Sequence, residues 1–185
     1  MIIVVDLDGT LITFDSSLNL AKKMASKNIF LALKLIFIYL TGAEAKAKQF
    51  VANHCGKLQY KINEKVLDFL QSKKKDHKLI LATGTNMKIA QQINRELGNL
   101  FEKVIASNGS INCIGENKLH AIKAQIGTQK FLYIGDWWHD MPIWLDQNAS
   151  IGIVERDAQL CELMKTIAKK ESKDIVVFEY MKKDI

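Results

Sequence analysis

Six short apolar runs punctuate the chain: Met1 to Val5, Leu79 to Ala82, Val104 to Ala106, Phe131 to Ile134, Ile151 to Val154 and Ile175 to Phe178. They are rich in β-branched residues and do not alternate with polar ones, the pattern of strands buried on both faces of a parallel sheet. Helical stripes lie between them. One carries Ile89, Ile93 and Leu97, a second spans Lys118 to Ile126 and stops at Gly127, and a third runs from Ala158 to about Lys170. The turn Ser107-Asn108-Gly109-Ser110 followed by Ile111 to Ile114 predicts a small hairpin arm. This alternation predicts an α/β fold, a doubly wound parallel sheet with helices on both faces and the sixth run at an edge.

The span from Ser16 to Tyr60 breaks the rhythm. It has no strand signal and predicts two or three helices, with Gly42 and Gly56 as breaks. This is a small helical cap inserted after the first strand: residues 16–60 stand over a core made of 1–15 and 61–185. So placed, the insert would act as a lid that excludes water and chooses the substrate. Within it, Ile29 to Leu40 is apolar nearly all round a helix, yet twelve residues fall short of the ~20 that a bilayer crossing needs. Burial between its cap neighbours and the main domain is the favoured reading. A surface for lipid, a membrane interface or a second subunit is the other.

Composition narrows the class. The 185 residues are 48% hydrophobic with a single proline, Pro142, so the chain builds a real core without a linker that would separate two domains. The net charge of +6 comes mainly from lysine, with clusters at Lys73-Lys74-Lys75, Lys169-Lys170 and Lys182-Lys183 that suit helix C-termini or a solvated tail. Arg95 and Arg156 are the only arginines, which argues against nucleic acid as a partner. Cys55, Cys113 and Cys161 are odd in number and far apart, so unpaired thiols in a reducing compartment are expected, and zinc is not the expected metal. No signal-peptide pattern opens the sequence, and the cytoplasm is the expected location.

The first apolar run ends abruptly on Asp6-Leu7-Asp8-Gly9-Thr10. In an open α/β sheet the ligand crevice lies beyond the carboxyl ends of the strands, so Asp6 and Asp8 would project where a substrate can reach them. Two acids this close repel, and a hard dication such as Mg2+ is the simplest neutraliser, although aspartates that merely shape the turn would read the same way. Three further pieces are placed toward the same edge. Asp136 and Asp140, four apart after the fourth run, would face one side of a helical turn. Thr83 offers a hydroxyl, and the amides from Gly84 onward could hold a phosphate oxygen. Lys118 opens a helix whose start lies at that edge, whereas Lys123 is more than a turn deeper. Singly each has a dull reading, as a cap or a solvated side chain; jointly they make a site. Of Trp137, Trp138 and Trp144, which could form an aromatic wall, at least one belongs in the core. His139 is not expected to be essential, and His54 and Cys55, adjacent on a helix, point apart.

The segments DLDGT, LATGT around Thr83, Lys118 and GDWWHD, in this order, resemble the four motifs of the haloacid dehalogenase superfamily over the whole main domain. The resemblance implies Asp6 as nucleophile and Asp8 as general acid/base. It implies Mg2+ on the Asp6 carboxylate, the Asp8 carbonyl and Asp136, with Asp140 and Thr10 in support. Thr83 and Gly84 would bind phosphate and Lys118 would balance charge. An acid at position 8 favours phosphoryl transfer over dehalogenation, and the insert is similar to the family's first type of helical cap. The order of DLDGTL, an apolar and basic cap, LATGT, ASNGSINCIGENK and GDWWHDMPIW is also similar to phosphatase-like domains that accompany membrane prenyltransferases. The substrate implied is a phosphorylated small molecule or a lipid phosphate, with peripheral membrane contact through the cap helix. A phosphotransferase or mutase, and a non-catalytic module docking on a membrane partner, remain the rival readings. The oligomeric state is left unassigned.

Overall fold

The strands β1 (Ile2–Val5), β2 (Lys78–Asn86), β3 (Lys103–Ser107), β4 (Phe131–Gly135), β5 (Ala149–Glu155) and β6 (Ile175–Glu179) form one sheet in the order β3-β2-β1-β4-β5-β6. Every neighbouring pair is parallel. This is a computed structural model that describes residues 1–54 and 58–180, so the Cys55 thiol, the break expected at Gly56 and the Lys182-Lys183 tail lie outside the described residues. Helices α1 (Ser16–Lys27), α2 (Ile29–Leu40) and α3 (Glu44–His54) follow β1, and α4 (Glu64–Lys73) leads into β2. The remaining helices are α5 (Met87–Glu96), α6 (Gly115–Ile126), α7 (Met141–Trp144) and α8 (Ala158–Glu171). The doubly wound α/β class expected from the apolar runs is the one observed, with a core on each side of the sheet: Ile3, Val5 and Leu81 on one, Val4, Ile80 and Tyr133 on the other.

Strand order decides where a ligand can enter. The chain passes from β1 outward through β2 to β3 on one side and then crosses to β4 on the other side of β1, so the crevice opens at the carboxyl ends of β1 and β4. Register puts Val5 level with both Leu81 and Ile134, and the next residue, Asp6, is fixed by its amide donating to the Ile134 carbonyl at 2.8 Å.

The insert leaves and rejoins this core through two hydrogen-bonded segments: Thr13 N donates to Lys61 O at 3.0 Å and Asn63 N to Leu11 O at 2.9 Å. Its three helices share apolar contacts through Leu20 and Met24 of α1, Leu35 of α2, and Ala47 and Val51 of α3, continuous with the core on that face of the sheet. Asp15 and Asn28 cap α1 and α2 by accepting from backbone amides, and Gly42, at φ +70°, turns the chain between α2 and α3.

Four local expectations change. Only Ala32 and Leu35 of α2 are buried; Phe30, Phe37 and Leu40 are 78%, 68% and 81% exposed, so the favoured buried reading of this helix is overturned. The reason is geometric, since α1 and α3 cover only one side of it. The hairpin arm at 111–114 does not form. Asn108 Oδ1 accepts from the amides of Ser110 and Ile111, and Ser107 Oγ accepts from Cys113 N, so side chains take up the backbone donors that a second strand would have used. Helix α6 begins at Gly115, not Lys118, which places Lys118 at the end of its first turn with its amide bonded to Ile114 O. Finally, α4 buries Val66 and Leu70 in a stretch to which the hydrophobic pattern assigned no element.

Candidate active site

Beyond the ends of β1 and β4 lies a cleft of about 490 Å3 whose lining includes Asp6, Asp8, Lys48, Lys118, Asp136 and Arg156. Three buried carboxylates meet there: Asp6, Asp136 and Asp140 each bring an oxygen within 4.8 Å of the others. Asp6 leaves β1, Asp136 leaves β4, and the 3-10 turn Trp138–Asp140 carries Asp140 back toward Asp136. Gly9, at φ +78°, lets the loop after β1 pass against Asp136, because a Cβ there would overlap Asp136 Oδ2 and Arg156.

One cation ties the cluster together. Lys118 Nζ, almost wholly buried, donates to Asp6 Oδ1 at 3.0 Å, Asp140 Oδ1 at 3.0 Å and the Tyr133 hydroxyl at 2.9 Å, which uses all three of its protons. Burial alone would lower its pKa, but Asp140 and Asp6 more than reverse this and hold the ammonium charged. The Tyr133 hydroxyl in turn donates to Asp140 Oδ1 at 2.5 Å, and Asp140 Oδ2 accepts from the amides of Asp136 and Trp137. Asp140 is thereby engaged on both oxygens by protein donors. Lys123, passed over by depth, instead pairs with Asp146 at 2.5 Å.

Asp136 has its own partners. Thr10 Oγ1 donates to Oδ1 at 3.0 Å, and Arg156 Nη1 to Oδ2 at 2.8 Å. The Arg156 guanidinium lies 5.0 Å from the centre of the Trp137 ring. Two cations against three buried carboxylates leave a deficit of positive charge. Accordingly burial, with Asp140 and Asp136 adding repulsion against the opposing pull of Lys118, pushes Asp6 up to about 8. Burial and Asp140 push Asp136 up to about 6. Hard oxygen donors held together at that electrostatic cost are the donor set of a hard dication, and these three carboxylates could hold one.

Asp8 is held separately. The amide of Ser16, first residue of α1, donates to Asp8 Oδ1 at 2.7 Å, and the Thr85 hydroxyl donates to Oδ2 while also meeting Ser16 Oγ at 2.8 Å. Burial nevertheless raises the Asp8 carboxyl above the ordinary carboxylate range. Thr83 is fully buried within β2, where the register against β3 shifts between Thr83 and Asn86, and its hydroxyl accepts from Thr85 N at 3.0 Å; the cap of α5 is Asn86, not Thr83. Gly84 lines the cleft, and its carbonyl accepts from Lys48 Nζ at 2.8 Å and Ser107 Oγ at 2.7 Å.

All eight singled-out residues, Asp6, Asp8, Thr10, Thr83, Gly84, Lys118, Asp136 and Asp140, thus stand at one edge of the sheet. The motif reading missed Tyr133, Thr85, Ser16, Arg156 and Lys48. Tyr133 alone had a readable signal, a phenol hydroxyl inside an otherwise apolar strand that needs a buried partner. Lys48, from α3, also donates to Asn112 Oδ1 at 2.7 Å, and burial lowers its pKa. Trp144 is fully buried with its indole donating to the Tyr133 and Gly152 carbonyls, as expected for one tryptophan, while Trp137 and His139 line the cleft.

Solved structures share this architecture. A protein of unknown function from Bordetella pertussis Tohama I superposes with a TM-score of 0.64 at 16% identity, covering 95% of this chain and 97% of that one. A phosphoserine phosphohydrolase-like protein from Francisella tularensis subsp. tularensis SCHU S4 gives 0.58 at 15% identity, with 95% of each chain covered. A phospho-aspartyl intermediate analogue of phosphoserine phosphatase gives 0.55 at 14% identity, over 96% of this chain and 92% of the other. No curated protein matches the sequence. At these identities the likeness establishes the fold, and the sequence itself supplies the rest. Residues 3–144, from β1 through the acidic turn after β4, match the family model of haloacid dehalogenase-like hydrolases, and with its acids and lysine gathered at that fold's crevice the chain belongs to this family of enzymes.

Proposed function

We propose that the protein is a Mg2+-dependent phosphatase that cleaves phosphate monoesters through an aspartyl-phosphate on Asp6. The observation that carries this reading is the convergence of Asp6, Asp136 and Asp140 within 4.8 Å, with Lys118 Nζ on Asp6. In this reading residues 1–15 and 61–185 are the catalytic core and 16–60 the cap. Mg2+ would be held by the Asp6 carboxylate, the Asp8 carbonyl and Asp136, with Asp140 and Thr10 behind them. Bound there, it would restore the charge of Asp6 at neutral pH and offset the negative charge of the phosphoryl oxygens.

The protein's own groups then divide the work. An Asp6 oxygen attacks phosphorus in line with the ester oxygen; the P–O bond to the alcohol breaks and Asp8 gives its proton to the departing oxygen. Burial raises Asp8 toward the protonated form this step needs, against the opposing hydrogen bonds from Ser16 and Thr85 that hold it in place. It next takes a proton from water, whose oxygen attacks phosphorus, releasing inorganic phosphate and the Asp6 carboxylate. Lys118 stays charged throughout and balances the nucleophile. Thr83 and the backbone from Gly84 would receive a phosphate oxygen.

Within this class we favour an amphiphilic substrate, a prenyl or other lipid phosphate, because α3, whose Glu44 and Lys48 line the cleft, packs against α2 with its exposed apolar face. Among the described residues no helix is long and apolar enough to cross a membrane. Cys113 and Cys161 are buried free thiols, which supports a reducing, cytoplasmic compartment.

The test is phosphate release from a monoester panel, prenyl phosphates included, with rapid acid quench and mass spectrometry of the protein. A hydroxylamine-sensitive phosphoryl group on Asp6 that turns over with Mg2+ is the expected result. Phosphate passing to an added alcohol in preference to water would move the assignment to a phosphotransferase, and release with no label on Asp6 would defeat the covalent route.

A further inference from the structure

The outer side of α2 is an apolar surface that nothing among the described residues covers. At 3.6 residues per turn Ile29, Leu33, Ile36 and Leu40 fall in one line with Phe30 and Phe37 beside it, and all six are more than half exposed. The inner side is also apolar and is spent on packing, through Leu35 with Leu31 and Ile38 beside it. A stripe of six large side chains exceeds the scattered apolar exposure usual on a monomer.

Charge identifies what covers it. Residues 16–54, which hold α1, α2 and α3, carry six lysines against one glutamate, a net charge of +5 within a chain whose total is +6. Lys22, Lys27, Lys34 and Lys46 are exposed, and Lys27 closes α1 one residue before the cap of α2. The other residues are almost neutral, with 20 basic and 19 acidic side chains. An exposed apolar helix face inside a concentrated positive field matches the interface of a bilayer that contains anionic lipid. A second copy fits poorly, because a two-fold contact would set each +5 unit against itself. Crossing is excluded by length: twelve residues span ~18 Å of helix against ~30 Å of hydrocarbon.

We propose that α2 is a membrane-docking element, which lays the stripe of Ile29, Phe30, Leu33, Ile36, Phe37 and Leu40 into the headgroup boundary of an anionic bilayer. The docking does not depend on the chemistry proposed at Asp6. If both hold, the cap that lines the cleft rests on the surface where an amphiphilic phosphate resides.

Co-sedimentation of the full chain with vesicles tests it, using equal parts phosphatidylcholine and phosphatidylserine against phosphatidylcholine alone. The protein should partition onto the anionic vesicles and be released by salt. Phe30→Asp with Phe37→Asp should weaken partitioning roughly ten-fold or more for each ring removed. Changing Lys22, Lys27, Lys34 and Lys46 to Gln should cost about five-fold per lysine. Because these side chains face solvent, circular dichroism and turnover of a soluble aryl phosphate should match the parent, which separates failure of docking from failure of the enzyme reading. Three results would overturn the proposal: no partitioning of the parent onto anionic vesicles, equal partitioning of the phenylalanine variant, or a parent dimer in sedimentation velocity that the same variant dissociates. Equal binding to phosphatidylcholine alone would remove the role given to charge.

Discussion

The crevice at β1 and β4 and the outer face of α2 break the inside/outside rule in opposite directions. The crevice buries charge: Asp6, Lys118, Asp136 and Asp140 are all less than one-tenth exposed. The α2 face exposes apolar rings to water. In the crevice every one of these groups is met by a partner from another element, so a hydrogen-bonded network fixes a single arrangement even though the carboxylates repel one another. On α2 no such partner exists among the described residues. A fold stabilises polar burial by building a network around it, whereas exposed apolar surface is relieved only by something outside the chain. The largest consequences of mutation therefore belong to the crevice, and the smallest, for the isolated protein, to α2.

Asp6→Asn should have the greatest effect. It keeps the shape and the contact to Lys118 but removes the attacking charge, so turnover of any monoester should fall by roughly four orders of magnitude or more while the circular dichroism spectrum is unchanged. Chelation should do the same to the parent enzyme. A preparation of Asp6→Asn with turnover within ten-fold of the parent would show that the buried acids are structural, and the contrast with α2 would lose its functional meaning.

Stability against pH sharpens the same contrast. In the unfolded chain Asp6 and Asp136 lose their protons near 3.8, whereas in the fold they hold them to about 8 and about 6. Between those values the native state binds more protons than the unfolded one, so stability without metal should fall as pH rises from about 4 to about 8. A bound dication replaces the protons and should raise Tm, increasingly so toward the upper end of that window. Scanning calorimetry at several pH values, with and without Mg2+, measures both slopes. A metal-free Tm that climbs across this interval would mean that the charge deficit in the crevice is already met by the protein.

Tyr133→Phe should act more mildly. It removes the hydroxyl that accepts from Lys118 and donates to Asp140, leaving the lysine two carboxylates and one unused proton. We expect kcat to fall about ten-fold with KM nearly unchanged, since the loss loosens the orientation of Lys118 without touching a binding group. Steady-state kinetics on one soluble monoester decide it. A change confined to KM would place Tyr133 in substrate binding instead.

Much of this was legible in the residues, for a physical reason. β1 and β4 are fully buried, so their apolar runs are unbroken, and the acids that follow them stand out because, the Tyr133 hydroxyl aside, nothing else about those runs is polar. Partners that act across elements left no such trace. Lys48 and Arg156 resemble any other surface cation until α3 and the loop after β5 bring them to the cleft, and Thr85 and Ser16 meet Asp8 over separations of 77 and 8 residues. The burial of α2 was misjudged because composition reports how apolar a helix is, not how many neighbours the fold supplies for its sides.

The smallest effect tests that last point within a single helix. Leu35 sits in the core shared by α1, α2 and α3, whereas Phe37, two residues later, is 68% exposed. Leu35→Ala should cost about 2–5 kcal/mol in urea unfolding, the range for a large-to-small change in a packed site. Phe37→Gln should stay within about 0.5 kcal/mol, as surface substitutions do. If Phe37→Gln costs as much as Leu35→Ala, the outer side of α2 is packed against protein in the free molecule, and the comparison between crevice and insert fails at its apolar end. If the two values separate as stated, the rings on α2 contribute almost nothing to the fold that carries them, and their presence has to be accounted for by what the helix meets.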